Sequence, residues 1–97
     1  MSIGHAIRAA RTIAYMTQKE LAERCDISPS WLSLLERGER GISVSSVDIV
    51  AEGLNLTSTL LVFMSEPDDE RFDIELKKEL SYELIRRLKE LRDESEA

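Results

Sequence analysis

The sequence predicts an all-α fold of five short helices followed by a longer C-terminal one. Three observations carry this. No segment alternates apolar and polar residues with the period of two that a half-buried strand requires. One pattern recurs four times: an apolar residue, Ser or Thr, three residues, then a second apolar residue. It appears as Met16-Thr17 with Leu21, Ile27-Ser28 with Leu32, Ile42-Ser43 with Val47 and Leu56-Thr57 with Leu61. The hydroxyl can accept an amide that a helix start leaves unbonded, and the apolar pair can close over it as a staple. Lastly, Leu76, Leu80, Leu84, Leu88 and Leu91 follow one another at spacings of 4, 4, 4 and 3.

The elements follow in order. A first helix is expected over about 3–14, with Ile3, Ile7, Ala10 and Ile13 on one face. A second runs over 18–24 behind a Thr17/Glu20 capping box, with Leu21 and Ala22 inward. A third runs over 29–37, opened by Ser28-Pro29 and stopped by Gly38. A fourth covers 44–54, with Val47, Val50, Ala51 and Leu54 at helical spacing, and a fifth covers 58–65. The acidic stretch 66–72 reads as a solvated linker, and 73–97 as a C-terminal helical segment whose pattern is traceable over about 71–92. Tyr82 and Ile85 are expected to widen the leucine stripe. The stripe lacks a strict 3.5-residue period, which disfavours a long two-stranded coiled coil. It can fold back on the first 65 residues or pack on a partner.

Composition sets limits. The 97 residues are 42% hydrophobic, enough for one small core, and the longest apolar run, 60–64, is far short of the roughly 20 residues of a membrane span. The N-terminus lacks the basic and apolar regions of a secretory signal, and the single cysteine, Cys25, permits no internal disulfide. A cytoplasmic protein is expected. The net charge of −6 is uneven: residues 1–65 carry six Lys/Arg against seven Asp/Glu, and residues 66–97 carry seven against twelve. A near-neutral first unit can still present a local basic face, while the acidic tail repels phosphates within about a Debye length (~8–10 Å).

Residues 17–38, TQKELAERCDISPSWLSLLERG, read as two short helices joined by a tight turn, the layout of a helix-turn-helix whose second helix enters a DNA major groove. The chain resembles the lambda-repressor-like, XRE-type helix-turn-helix family over roughly residues 4–64. The resemblance is carried by Arg11, Gln18, Leu21-Ala22, Ile27-Ser28, Leu32-Ser33, Leu35-Glu36-Arg37-Gly38, Ser43, Ala51 and Leu54. Within the family, 40–43 and 52–54 look most like controller proteins of restriction–modification systems, a pattern shared with phage-type repressors and antitoxins. Asp26 stands where the family's turn usually has glycine, and Pro29 where many relatives place a polar DNA-contacting side chain.

The resemblance implies a five-helix DNA-binding unit over residues 1–65 with an added C-terminal helix. It also implies roles for named residues. Gln18 would hold a phosphate at the start of the second helix, and Arg11 and Glu36 would form a structural ion pair between the first and third helices. On the face of the third helix opposite Leu32 and Leu35, Ser30 can reach a base or phosphate. Ser33 either approaches DNA or packs on the second helix. Leu34 either meets a thymine methyl or is simply half-buried. Trp31 either leans on the sugar-phosphate backbone or covers the junction of the second and third helices. Arg37 suits a guanine edge or nearby phosphate and Arg40 the backbone. Ser43 would add a phosphate contact through amides at the fourth helix.

The expected function is a sequence-specific transcriptional regulator binding double-stranded DNA as a homodimer on a palindromic operator. Leu60, Leu61, Phe63 and Met64 are its expected dimer interface, because so apolar a run does not face water. The alternative is an antitoxin or adaptor whose C-terminal helix binds a partner protein. His5 stands alone and no catalytic constellation or phosphate loop appears, so no enzyme activity, metal or cofactor is expected.

Overall fold

The structure is a computed structural model and describes residues 1–39 and 43–96. Among the described residues it has no strand and six helices: α1 (Ile3–Ile13), α2 (Gln18–Cys25), α3 (Pro29–Glu36), α4 (Val44–Gly53), α5 (Ser58–Ser65) and α6 (Ile74–Glu96). The all-α expectation holds, with boundaries moved by a residue or so for α1 to α4.

The four anticipated caps form. Thr17, Ser28, Ser43 and Thr57 each accept the amide three residues on, from Glu20, Trp31, Ser46 and Leu60, all at 3.1 Å. Thr17 and Glu20 close a reciprocal box, as do Ser43 and Ser46. Of the four staple pairs, the one beginning at Ile42 lies outside the described residues. Met16 with Leu21 and Leu56 with Leu61 are buried pairs.

The helix ends explain why the pattern recurs. After α1, α2 and α4 the chain enters the left-handed region at Tyr15, Asp26 and Asn55, with φ of 59°, 56° and 59°. After α3 it does so at Gly38, with φ of 71°. In each case the following amide reaches back five residues, as Met16 to Arg11 at 3.0 Å, Ile27 to Ala22 at 3.0 Å, Glu39 to Leu34 at 3.1 Å and Leu56 to Ala51 at 2.8 Å. This is the Schellman ending, which favours an apolar residue just past the left-handed one. Met16, Ile27 and Leu56 therefore close one helix and staple the next.

The core lies where α1, α4 and α5 meet α2 and α3, filled by Ile7, Leu21, Leu32, Leu35, Val50, Leu54 and Leu61. Arg24 Nε donates to the Gly53 carbonyl at 2.9 Å and fastens α2 to the end of α4.

Helix α6 folds back on this bundle and packs on α5 and α1. Leu88 and Leu91 are buried and Leu80 and Leu84 pack against the core, whereas Leu76 lies at its exposed end. Asn55 and Arg87 lock the crossing, as Asn55 Nδ2 donates to the Arg87 carbonyl at 3.0 Å and Arg87 Nη1 to the Asn55 carbonyl at 3.2 Å. At its far end the Arg92 guanidinium sits 5.0 Å from the Tyr15 ring centroid.

Four expectations need correction. Ile13 does not share the buried face of Ile7 and Ala10, since it is 48% exposed at the end of α1. Leu60, Leu61 and Phe63 are not a free surface: they are buried within the chain, because α1, α4 and α6 pack around α5. Met64 is half-buried against the same core. Tyr82 and Ile85 do not widen the leucine stripe, since they are 80% and 66% exposed on another face of α6. Nor is the acidic stretch only a solvated linker. Phe72 meets Phe63 edge-on with centroids 5.3 Å apart, and Asp69 holds the Arg71 backbone and guanidinium. Helix α6 begins at Ile74 because Asp73 Oδ1 accepts the Leu76 amide at 2.8 Å, the geometry of a helix cap.

Candidate nucleic-acid interface

The α2–turn–α3 unit is positioned from behind by a polar cluster. Arg11 Nε and Nη2 donate to the two Glu36 carboxylate oxygens at 2.8 and 3.0 Å, a bidentate pair. Arg11 Nη1 donates to the Met16 carbonyl at 2.9 Å. The side chains are 14% and 3% exposed. Gln18 Nε2 joins them, donating to Glu36 Oε1 at 3.2 Å. One carboxylate at the end of α3 thus gathers α1, the α1–α2 turn and the start of α2.

Gly4 is a second positioning residue, missed by sequence reasoning. A Cβ there would lie 2.6 Å from the backbone carbonyl oxygens of Leu35 and Glu36. Only glycine lets the start of α1 pass this close to the end of α3. The requirement comes from packing between distant segments, and nothing local in the sequence announces it.

The structure places the proposed DNA-facing residues as follows. Ser30 and Arg37 are exposed, while Ser33 and Leu34 are half-buried on α3. Arg37 terminates α3, and among the described residues its guanidinium pairs with Glu39, at 3.4 Å on the open surface. Trp31 is half-buried and packs against the core, in keeping with a cover over the α2–α3 junction. Arg40 lies outside the described residues.

At the start of α2, the Thr17 amide is taken by the Glu20 carboxylate at 3.0 Å and the Glu20 amide by Thr17. The amides of Gln18 and Lys19 are those the first turn leaves without an intrahelical acceptor. Hydrogen bonds from the Thr17 backbone and hydroxyl hold the Glu20 carboxyl below the usual range. At α4, Ser43 and Ser46 satisfy each other's amides at 2.8 and 3.1 Å. The amides of Val44 and Ser45 are those this first turn leaves without an intrahelical acceptor.

Cys25 is half-buried, and burial pushes its thiol up, away from the reactive thiolate. Among the described residues no group of three or more His, Cys, Asp or Glu side chains could hold a metal ion. Among the described residues no single helix is long and apolar enough to cross a membrane.

A helix-turn-helix family profile matches residues 7–61, from the middle of α1 into α5. The chain is also 34% identical over 62 residues to the immunity repressor protein of Bacillus phage phi105, a match covering 64% of this chain and 43% of that protein. It thus spans less than half the length of that relative. No solved structure matches the chain.

Proposed function

This chain belongs to the lambda-repressor-like helix-turn-helix family, and we propose that it is a transcriptional regulator that reads double-stranded DNA as a homodimer. Helix α3 lies in the major groove, presenting Ser30, Ser33, Leu34 and Arg37 to base edges. The start of α2, with Gln18 and Lys19, and the start of α4 receive phosphates. Trp31 borders the contact and Arg40 adds a backbone cation. The reading unit is residues 1–65, followed by the acidic connection 66–72 and the helical segment 73–97.

The observation that carries this reading is the division of labour on α3. Its rear is fastened by Arg11, Glu36, Gln18 and Gly4, while its front holds small polar groups and one weakly paired arginine. A rigidly held helix with an open, small-residue face suits close approach to base pairs. One such face covers only a few base pairs, so a palindromic operator with half-sites about one helical turn apart (~34 Å) completes the site. The relative's name supports control of phage-type genes. The likeness to restriction–modification controllers rests on 40–43 and 52–54, of which 40–42 lie outside the described residues.

The second reading, an antitoxin or adaptor, is supported by the exposed apolar face of α6. Arg37→Ala separates the two. It should cost about 1–3 kcal/mol of operator affinity per half-site with the melting temperature unchanged. Unaltered DNA binding by this variant would remove Arg37 from the interface, and absence of specific DNA binding by the wild-type chain would favour the adaptor.

A further inference from the structure

Four of the exposed large hydrophobic residues lie on α6: Ile74, Leu76, Tyr82 and Ile85. At about 100° per residue, Leu80, Leu84, Leu88 and Leu91 fall within roughly 80° and face the core. Ile74, Lys78, Ser81, Tyr82 and Ile85 fall within roughly 100° of one another, centred some 110° from the leucines. They line one shallow groove, together with Lys77. The helix thus has two apolar stripes, one covered by its own chain and one uncovered.

We propose that the uncovered stripe is the homodimer contact, and that it takes the α6 of a second copy, antiparallel across a two-fold axis. This deepens the homodimer reading above and rests on it. The support is the order of residues along the stripe. Ile74 and Ile85 stand at its ends, with Lys78 and Tyr82 between. Turned end for end, Ile74 lies over Ile85 of the second copy, Lys78 over the Tyr82 ring and Glu75 beside Arg86. Each meeting is apolar on apolar, cation on aromatic face, or acid against base. Laid parallel about a two-fold, the same stripe sets Lys78 against Lys78, while Glu75 and Arg86 of the two copies turn to opposite flanks of the seam. Glu79 and Glu83 line a neighbouring shallow groove with Tyr82 and Ile85, and Glu83 and Glu90 already pair with Arg86 within the chain. A patch that complements itself only when reversed is what a two-fold, isologous contact requires. The apolar seam is about three turns long per copy, at the small end of stable interfaces, so the free dimer should dissociate on dilution.

The test uses the whole chain without DNA, followed by sedimentation across a concentration series. A reversible monomer–dimer equilibrium is expected. Ile85→Glu should raise its dissociation constant by about tenfold or more, with helicity and melting temperature unchanged because the side chain is exposed. Ile74→Cys and Ile85→Cys proteins, mixed under mild oxidation, should cross-link to each other in preference to themselves. A wild-type chain monomeric throughout, an Ile85→Glu dimer of undiminished affinity, or cross-linking of Ile74→Cys chiefly to itself would each overturn the proposal. DNA binding is read separately. A chain that dimerises in this way but ignores DNA keeps this contact and loses only the functional reading above.

Discussion

Asp26 occupies a left-handed position, φ 56°, that the turn between α2 and α3 demands. An L-residue there costs roughly 1–2 kcal/mol relative to glycine. Asp26→Gly should therefore stabilise the protein by about 1 kcal/mol and raise its melting temperature by about 4–8 °C. A fall on thermal melting would mean that the aspartate side chain holds the turn. Glu36 carries the opposite expectation. It is 4% exposed and receives Arg11 twice and Gln18 once, so Glu36→Ala leaves a guanidinium facing an empty space. Breaking such a pair from one side costs about 3–5 kcal/mol when buried, and DNA binding should weaken because the head melts. Loss of binding at an unchanged melting temperature would move Glu36 to the DNA surface. The Arg11–Glu36 pair was legible in the sequence only through family resemblance, since nothing local joins residues 25 apart. The diversion of the Gln18 side chain to Glu36 was not legible, because it depends on where α3 ends.

At the scale of elements, the caps were the most legible feature, because a hydroxyl and an amide three residues apart need no tertiary context. The fate of the apolar elements was not. Periodicity marks that a face is buried, not what buries it, so α5 read as an interface when it is core. Helix α6 read as one widened stripe when it has two. This changes what truncation can test. Removing residues after Ser65 deletes the buried Leu88 and Leu91, each worth about 1.5–3 kcal/mol of burial, and takes away the Phe72 ring that meets Phe63. Such a truncation should unfold or aggregate whether α6 serves DNA binding or a partner. A soluble, cooperatively melting 1–65 fragment would show that α6 is not part of the core. Acid should also act through individual elements. The Arg71 guanidinium beside Asp69 holds its carboxyl at about 2 rather than 3.8. Glu83 is likewise lowered by Arg87 and Arg86, and Glu20 by Thr17. Carboxyls depressed in the folded state stabilise it above their unfolded pKa, and that contribution is lost as pH falls. The urea midpoint should decline as pH drops from about 4 toward about 2. The individual effects are small because these groups are exposed. A midpoint that rises on acidification would contradict the assignment.

For the whole molecule, the charge asymmetry matters most. The acidic residues of 66–97 lie on a segment docked against α1 and α5, so they travel with the reading head rather than on a free tail. They should suppress non-specific binding while the amides at the starts of α2 and α4 and the cations near α3 hold specific phosphates. Operator affinity should accordingly fall steeply with salt, by about −0.9 in log–log slope per phosphate neutralised, and non-specific affinity should be weak at physiological salt. If α3 reads DNA as one half of a two-fold pair, selection from a random-sequence duplex pool with the purified chain should enrich a palindromic consensus with half-site centres about 10 base pairs apart. Enrichment of no sequence, or of a single unrepeated half-site, would rule out two-fold reading by α3.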